Sequence, residues 1–130
     1  MIRRLLEKRW LWALLALAAA LAIALGSLTP GNEMPKNLPW DKLNHFLGYA
    51  VLGFLTGLAG LRLWLAWLVT SGYGVIIEYA QVIAPGRYGG DPQDMLANAL
   101  GAALAVLLLT ALRHLLNDYP FSKNYRKDTQ

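Results

Sequence analysis

Residues 63–84 read LWLAWLVTSGYGVIIEYAQVIA, a stretch whose one formal charge is Glu78. As a helix rising about 1.5 Å per residue, a stretch of this length crosses a hydrocarbon layer of about 30 Å. A carboxylate held at that depth is unfavourable by about 2.5–3.5 kcal/mol on insertion scales. Glu78 therefore demands a partner, and it marks a candidate functional site.

The same hydropathy recurs on either side, at about 10–28, 43–61 and 95–116. Little more than Arg62 separates the second stretch from the third, so the two are expected to form a tight hairpin. Of the 130 residues, 56% are hydrophobic and 15% charged. A soluble domain of this size could not hide that much apolar surface, whereas lipid removes the need. The expected fold is an all-α integral membrane protein. It is a four-transmembrane-helix bundle over residues 1–116, followed by a polar cytoplasmic tail over 117–130.

Basic residues set the expected orientation. With the N-terminus inside, the cytoplasmic flanks hold Arg3, Arg4, Lys8, Arg9, Arg62, Arg113, Lys123, Arg126 and Lys127, against Lys36, Lys42 and Arg87 outside. That asymmetry predicts cytoplasmic N- and C-termini in a bacterial cytoplasmic membrane. It also accounts for the net charge of +4 without nucleic acid. The first span carries a signal-peptide-like pattern, a basic start and Ala22-x-Ala24, but its apolar run is longer than a signal core and no clear polar cleavage region follows. The absence of cysteine excludes a disulfide, a thiolate metal site and a cysteine nucleophile.

In that orientation the polar residues converge on the outer third of the membrane. His45 and Tyr49 share a face at i,i+4, as do Asp94 and Asn98, while Glu78 and Gln81 do so at i,i+3. Asp41, at i,i+4 from His45, is placed to orient the imidazole. The loop 85–92 sets Arg87 among Pro and Gly residues able to fold it over the site, either neutralising an acidic group or gripping a phosphate or carboxylate through two parallel hydrogen bonds. The inner halves of the helices carry almost no polar residues.

Plainer roles compete with these. Asp91 before Pro92 suits a helix N-cap, Asp94 suits the positive end of the helix dipole, and Asp41 can simply begin its span. Gly53-x-x-x-Gly57 and the Ala97/Gly101/Ala105 row are ridges for close helix packing, and they also offer a homo-oligomer interface. No cofactor is expected. His45, Glu78, Asp91 and Asp94 offer donors that zinc, magnesium or manganese accepts, but their spacing matches no metal motif.

The order Asp41-Lys42-x-x-His45-Phe46-x-x-Tyr49, Glu78-x-x-Gln81, Pro85-Gly86-Arg87 and Asp91-x-x-Asp94-x-x-x-Asn98-x-x-Gly101 resembles the VanZ-like family of small bacterial membrane proteins. The likeness runs from Asp41 to about Gly101. The family takes its name from an accessory protein of glycopeptide-resistance clusters, associated with reduced susceptibility to the lipid-tailed antibiotic teicoplanin. The resemblance implies a link to antibiotic resistance, and it puts functional weight on His45, Glu78, Gln81, Arg87, Asp91, Asp94 and Asn98.

The expected function is binding or processing of a lipid or lipid-linked envelope component at an outward-facing pocket. His45 and Glu78 would act as acid or base, while Tyr49, Gln81, Arg87, Asp94 and Asn98 hold the substrate and Asp41 and Asp91 support them. The rival readings are a membrane scaffold with a structural polar cluster, and a small lipid transporter acting as an oligomer. The one-sided distribution of polar residues argues against the transporter.

Overall fold

The computed structural model describes residues 6–34 and 41–116. The expected tail over 117–130, together with Arg3, Arg4 and Lys36, lies outside the described residues. Among the described residues four long helices form: α1 (Arg9–Leu28), α2 (Asp41–Leu58), α3 (Leu63–Ile83) and α4 (Pro92–Leu115). A 3-10 turn, Gly31–Glu33, follows α1, and no strand occurs among the described residues.

Three of the four, α1, α3 and α4, are long and apolar enough to cross a membrane. α2 opens with the polar sequence DKLNH and runs for 18 residues. The expected boundaries shift by a few residues, for local reasons. α2 stops at Leu58 because Gly60 turns the chain with φ +108°. α4 starts three residues earlier than its apolar run, because Asp91 caps it and Pro92 occupies its first turn.

The helices alternate in direction. At one end Arg9, beginning α1, lies against Gly60 in the α2–α3 hairpin, and Leu6, Leu58 and Leu109 form an apolar cluster. At the other end the connection after α1 meets the α3–α4 loop, where the Gly31 N–H donates to the Gly86 carbonyl at 3.1 Å.

The most extensive helix pairing is α2 with α4. Small residues bring the two backbones together. A Cβ on Gly101 would run into the Phe46 carbonyl oxygen and lie 3.0 Å from the Ala50 nitrogen. Opposite, a Cβ on Gly53 would stand 3.1 Å from the Ala105 Cβ. Without water, helix association rests on such close packing rather than on a hydrophobic driving force. The two ridges read from the sequence therefore meet each other within the chain, and a second copy would have to use a different face.

α1 is the outlier, with Ala16 as its one buried residue. Hydrogen bonds hold it to α3: the Tyr73 hydroxyl donates to the Ala20 carbonyl at 2.6 Å and Gln81 Nε2 to the Ser27 carbonyl at 3.0 Å.

Replacing Gly101 by Ala is expected to lower stability in detergent by about 1–3 kcal/mol, as overpacking does. Gly72→Ala, where an added Cβ meets nothing within 4 Å, is expected to leave it unchanged or slightly raised. Denaturant titration of the two variants against the parent measures the difference.

Candidate functional site

The α2–α4 contact sets the register of the polar cluster. One to two turns from Gly101, the same helix faces bring His45 of α2 opposite Asn98 of α4. His45 Nδ1 lies 3.0 Å from Asn98 Oδ1, so in this arrangement Nδ1 carries the proton and donates. Glu78 Oε1 stands 3.8 Å from the same nitrogen. On the other side of the ring, Nε2 is 3.9 Å from both Asp41 Oδ1 and Asp94 Oδ2. A protonated imidazole here would be surrounded by three carboxylates. Tyr49 stacks on the imidazole with its ring 6.5 Å away and nearly parallel.

Glu78 is completely buried. Its Oε2 accepts two backbone hydrogen bonds from the α3–α4 loop, from Gly90 N–H at 3.1 Å and Asp91 N–H at 3.2 Å. The Gly90 N–H also points at the Glu78 carbonyl, 3.1 Å away. Gly90 holds this position with φ +78°, a conformation that favours glycine. The partner demanded by the buried carboxylate is thus the loop backbone and the start of α4, with Arg87 playing no part. Among the described residues, Glu78 Oε1 accepts nothing, and Asn98 Nδ2 and the Tyr49 hydroxyl are likewise buried without partners.

Lys42 supplies a contact that reading the sequence missed. Its ammonium bridges Asp91 Oδ2 and Asp94 Oδ1, at 3.0 Å from each, and so ties the first turn of α2 to the first turn of α4. The signal was available, since Lys42 opens one span and the two aspartates open another at the same predicted depth. Asp91 also caps α4 by accepting from the Gln93 N–H at 2.8 Å. That hydrogen bond, followed by the one from Lys42, holds the Asp91 carboxyl below its ordinary value. The plainer reading of Asp91 as a cap is therefore correct.

Gln81 faces α1 rather than the cluster, spending its amide on the Ser27 carbonyl. Arg87 sits above a cavity of about 340 Å³ between α1 and α2. Asp41, Asn44, His45 and Tyr49 form its polar side, and Ala22, Ile23, Gly26 and Gly48 its apolar wall. The Arg87 Nε is buried and without a partner, and the guanidinium forms no ion pair among the described residues. Of the expected site residues, the structure brings His45, Tyr49, Arg87 and Asp41 to the cavity. It places Glu78, Asp94 and Asn98 behind them in contact with the imidazole, and it sends Gln81 elsewhere.

As metal donors, Asp41, His45 and Asp94 can bring one atom each within 4.8 Å of one another. This differs from the set expected from the sequence, because Glu78 and Asp91 are occupied by backbone amides and Lys42. The Lys42 ammonium on Asp94 already neutralises part of the charge that a divalent ion would need.

The chain matches the model of the VanZ/LLP1 family over residues 2–113. It therefore belongs to that family, and it is a VanZ-like membrane protein. Comparison with curated proteins and with solved structures finds no match.

Two outcomes follow from the hydrogen bonding. Glu78→Ala strips the acceptor from the Asp91 N–H, leaves the Gly90 N–H with the main-chain carbonyl of residue 78 alone, and is expected to cost about 1–3 kcal/mol. Glu78→Gln keeps an acceptor oxygen and is expected to retain most of the stability, which the same denaturant titration reads. Because the folded-state pKa of Asp91 is depressed below 3.8, its charge stabilises the fold above that value and the contribution is lost as pH falls through the folded pKa. Stability measured from neutral pH downward is expected to fall more steeply below about pH 4 in the parent than in Asp91→Asn, which keeps the cap without the charge.

Proposed function

We propose that this VanZ/LLP1-family protein binds the polar head of a lipid or lipid-linked envelope component in the cavity between α1 and α2, and that this underlies a link to glycopeptide tolerance. In this reading all four helices cross the bacterial cytoplasmic membrane, with both termini in the cytoplasm and the cavity at the extracytoplasmic face. The uneven placement of basic residues supports that orientation. The alternating helix directions support it as well, since they leave Arg9 and Arg62 at one end and the carboxylate cluster at the other.

The observation that carries the binding reading is the Arg87 guanidinium, without an ion pair among the described residues, over a cavity that has an apolar wall on its α1 side. An unpaired, partly buried guanidinium is a bidentate grip for an oxyanion. The apolar wall, formed by the helix least committed to the bundle, offers the acyl or polyprenyl part of the same molecule a path toward lipid. His45 lies beside that position, with Asn98 fixing its ring and three carboxylates within 3.9 Å of its nitrogens. If chemistry follows binding, His45 is the group placed to move a proton, with Glu78 behind it. The hydrogen bonds of Glu78 and Gln81 also fit the rival scaffold reading, in which the polar residues serve only to hold the bundle together.

The test compares the parent protein with Arg87→Gln, each purified into lipid nanodiscs and shown to be equally stable, with co-purifying lipids identified by mass spectrometry. Retention of an enriched lipid by the parent is expected to fall by about tenfold in Arg87→Gln, the effect of losing one charge-assisted contact. Identical lipid profiles would favour the scaffold.

A further inference from the structure

The cavity is not uniformly cationic. Arg87 and Asp41 line the same space, yet they form no ion pair with each other. Among the described residues, the ion-pair contact of Asp41 is with the His45 ring at 3.9 Å, beyond hydrogen-bond distance, and its side chain is 63% exposed. Tyr49, 1% exposed, lines this space as well, and its hydroxyl has no partner. Among the described residues, the cavity therefore combines one cation without an ion pair and one loosely held carboxylate.

A purely anionic head would satisfy Arg87 while lying against Asp41, where like charges repel. A cationic head would do the reverse. A group carrying both charges a few bonds apart satisfies both ends. We infer that the cavity selects a zwitterionic headgroup, a phosphodiester joined to a primary ammonium, with the phosphate on Arg87 and the ammonium on Asp41. This rests on the binding reading above and specifies its ligand. A primary ammonium brings N–H donors, which a carboxylate accepts directly. The cavity volume of about 340 Å³ is of the size that small ligands occupy. Its apolar side, Ala22, Ile23, Gly26 and Gly48, assigns the remainder of the ligand to the lipid phase. The expected ligand is therefore a phosphatidylethanolamine-type lipid rather than a soluble phosphoamine.

Native mass spectrometry of the purified full chain, titrated with defined lipids, tests this. The parent is expected to hold phosphatidylethanolamine about tenfold more tightly than phosphatidylglycerol of the same chains. Asp41→Asn, a change at an exposed position, is expected to abolish that preference by weakening the former and strengthening the latter. Arg87→Gln is expected to weaken both. Equal or tighter binding of phosphatidylglycerol by the parent, or a preference unchanged in Asp41→Asn, overturns the zwitterion assignment. If phosphatidylglycerol binding still depends on Arg87, the broader lipid-head reading survives that failure. If Arg87→Gln changes neither lipid, both fall. Displacement by glycerophosphoethanolamine at concentrations equal to the lipid would overturn the lipid source of the headgroup.

Discussion

The backbone contact between α2 and α4 is the constraint on which the rest of the site depends. Gly101 lets the Phe46 carbonyl and the Ala50 nitrogen approach α4 more closely than any larger residue permits, and Gly53 does the same from the other side. Once these helices are locked at that distance and register, His45 falls opposite Asn98, and Lys42 opposite Asp91 and Asp94. The polar cluster is thus a product of small residues a turn or two away. In a medium without a hydrophobic driving force, that close packing is what makes the location of buried polar atoms definite.

Much of this was legible from sequence, because hydropathy and helical spacing are local properties. The run over 63–84, uncharged apart from Glu78, announced a membrane helix, and the i,i+3 and i,i+4 pairs announced polar faces. What was hidden depended on the angle at which each face meets its neighbour. Gln81 shares a face with Glu78 on paper, but one turn nearer the helix end the neighbour has changed from α4 to α1, and its amide serves Ser27. From the sequence, Glu78 demands a partner without specifying which. A folded loop offers two backbone amides, and no residue-type pattern encodes which carboxylate a loop N–H will reach. Lys42 was hidden for the opposite reason, since a lysine at the edge of a span already has an adequate explanation in topology.

Three buried polar atoms stay unpaired close to the imidazole: Glu78 Oε1, Asn98 Nδ2 and the Tyr49 hydroxyl. Buried polar groups are normally satisfied, and structure alone would favour removing those that are not. Around them several neighbouring polar atoms are committed with ordinary geometry: Asn98 Oδ1 to His45, Glu78 Oε2 to two amides, Lys42 to two aspartates. The bonded half of each group fixes its side chain, so the orientation of the cluster is set by hydrogen bonds that are already made.

The position of α1 completes the reasoning. It is the most apolar of the four helices and the least buried, and a helix kept in the bundle purely for stability would be expected to bury more than Ala16. Its small side chains pack on Tyr49 and Leu52 of α2, and two hydrogen bonds from α3 to its backbone carbonyls, from Tyr73 and Gln81, add to that contact. Backbone acceptors at a helix end are what remains free after the intrahelical bonds are made, so the Gln81 contact with Ser27 fixes the end of α1 without tying its side chains. The side chains facing α2 are small at Ala22 and Gly26, and the space they leave is the apolar wall of the cavity. A polar residue read from sequence as a substrate ligand thus has its physical effect one step removed: Gln81 positions the wall, and the wall gives Arg87 and Asp41 a shared space to face.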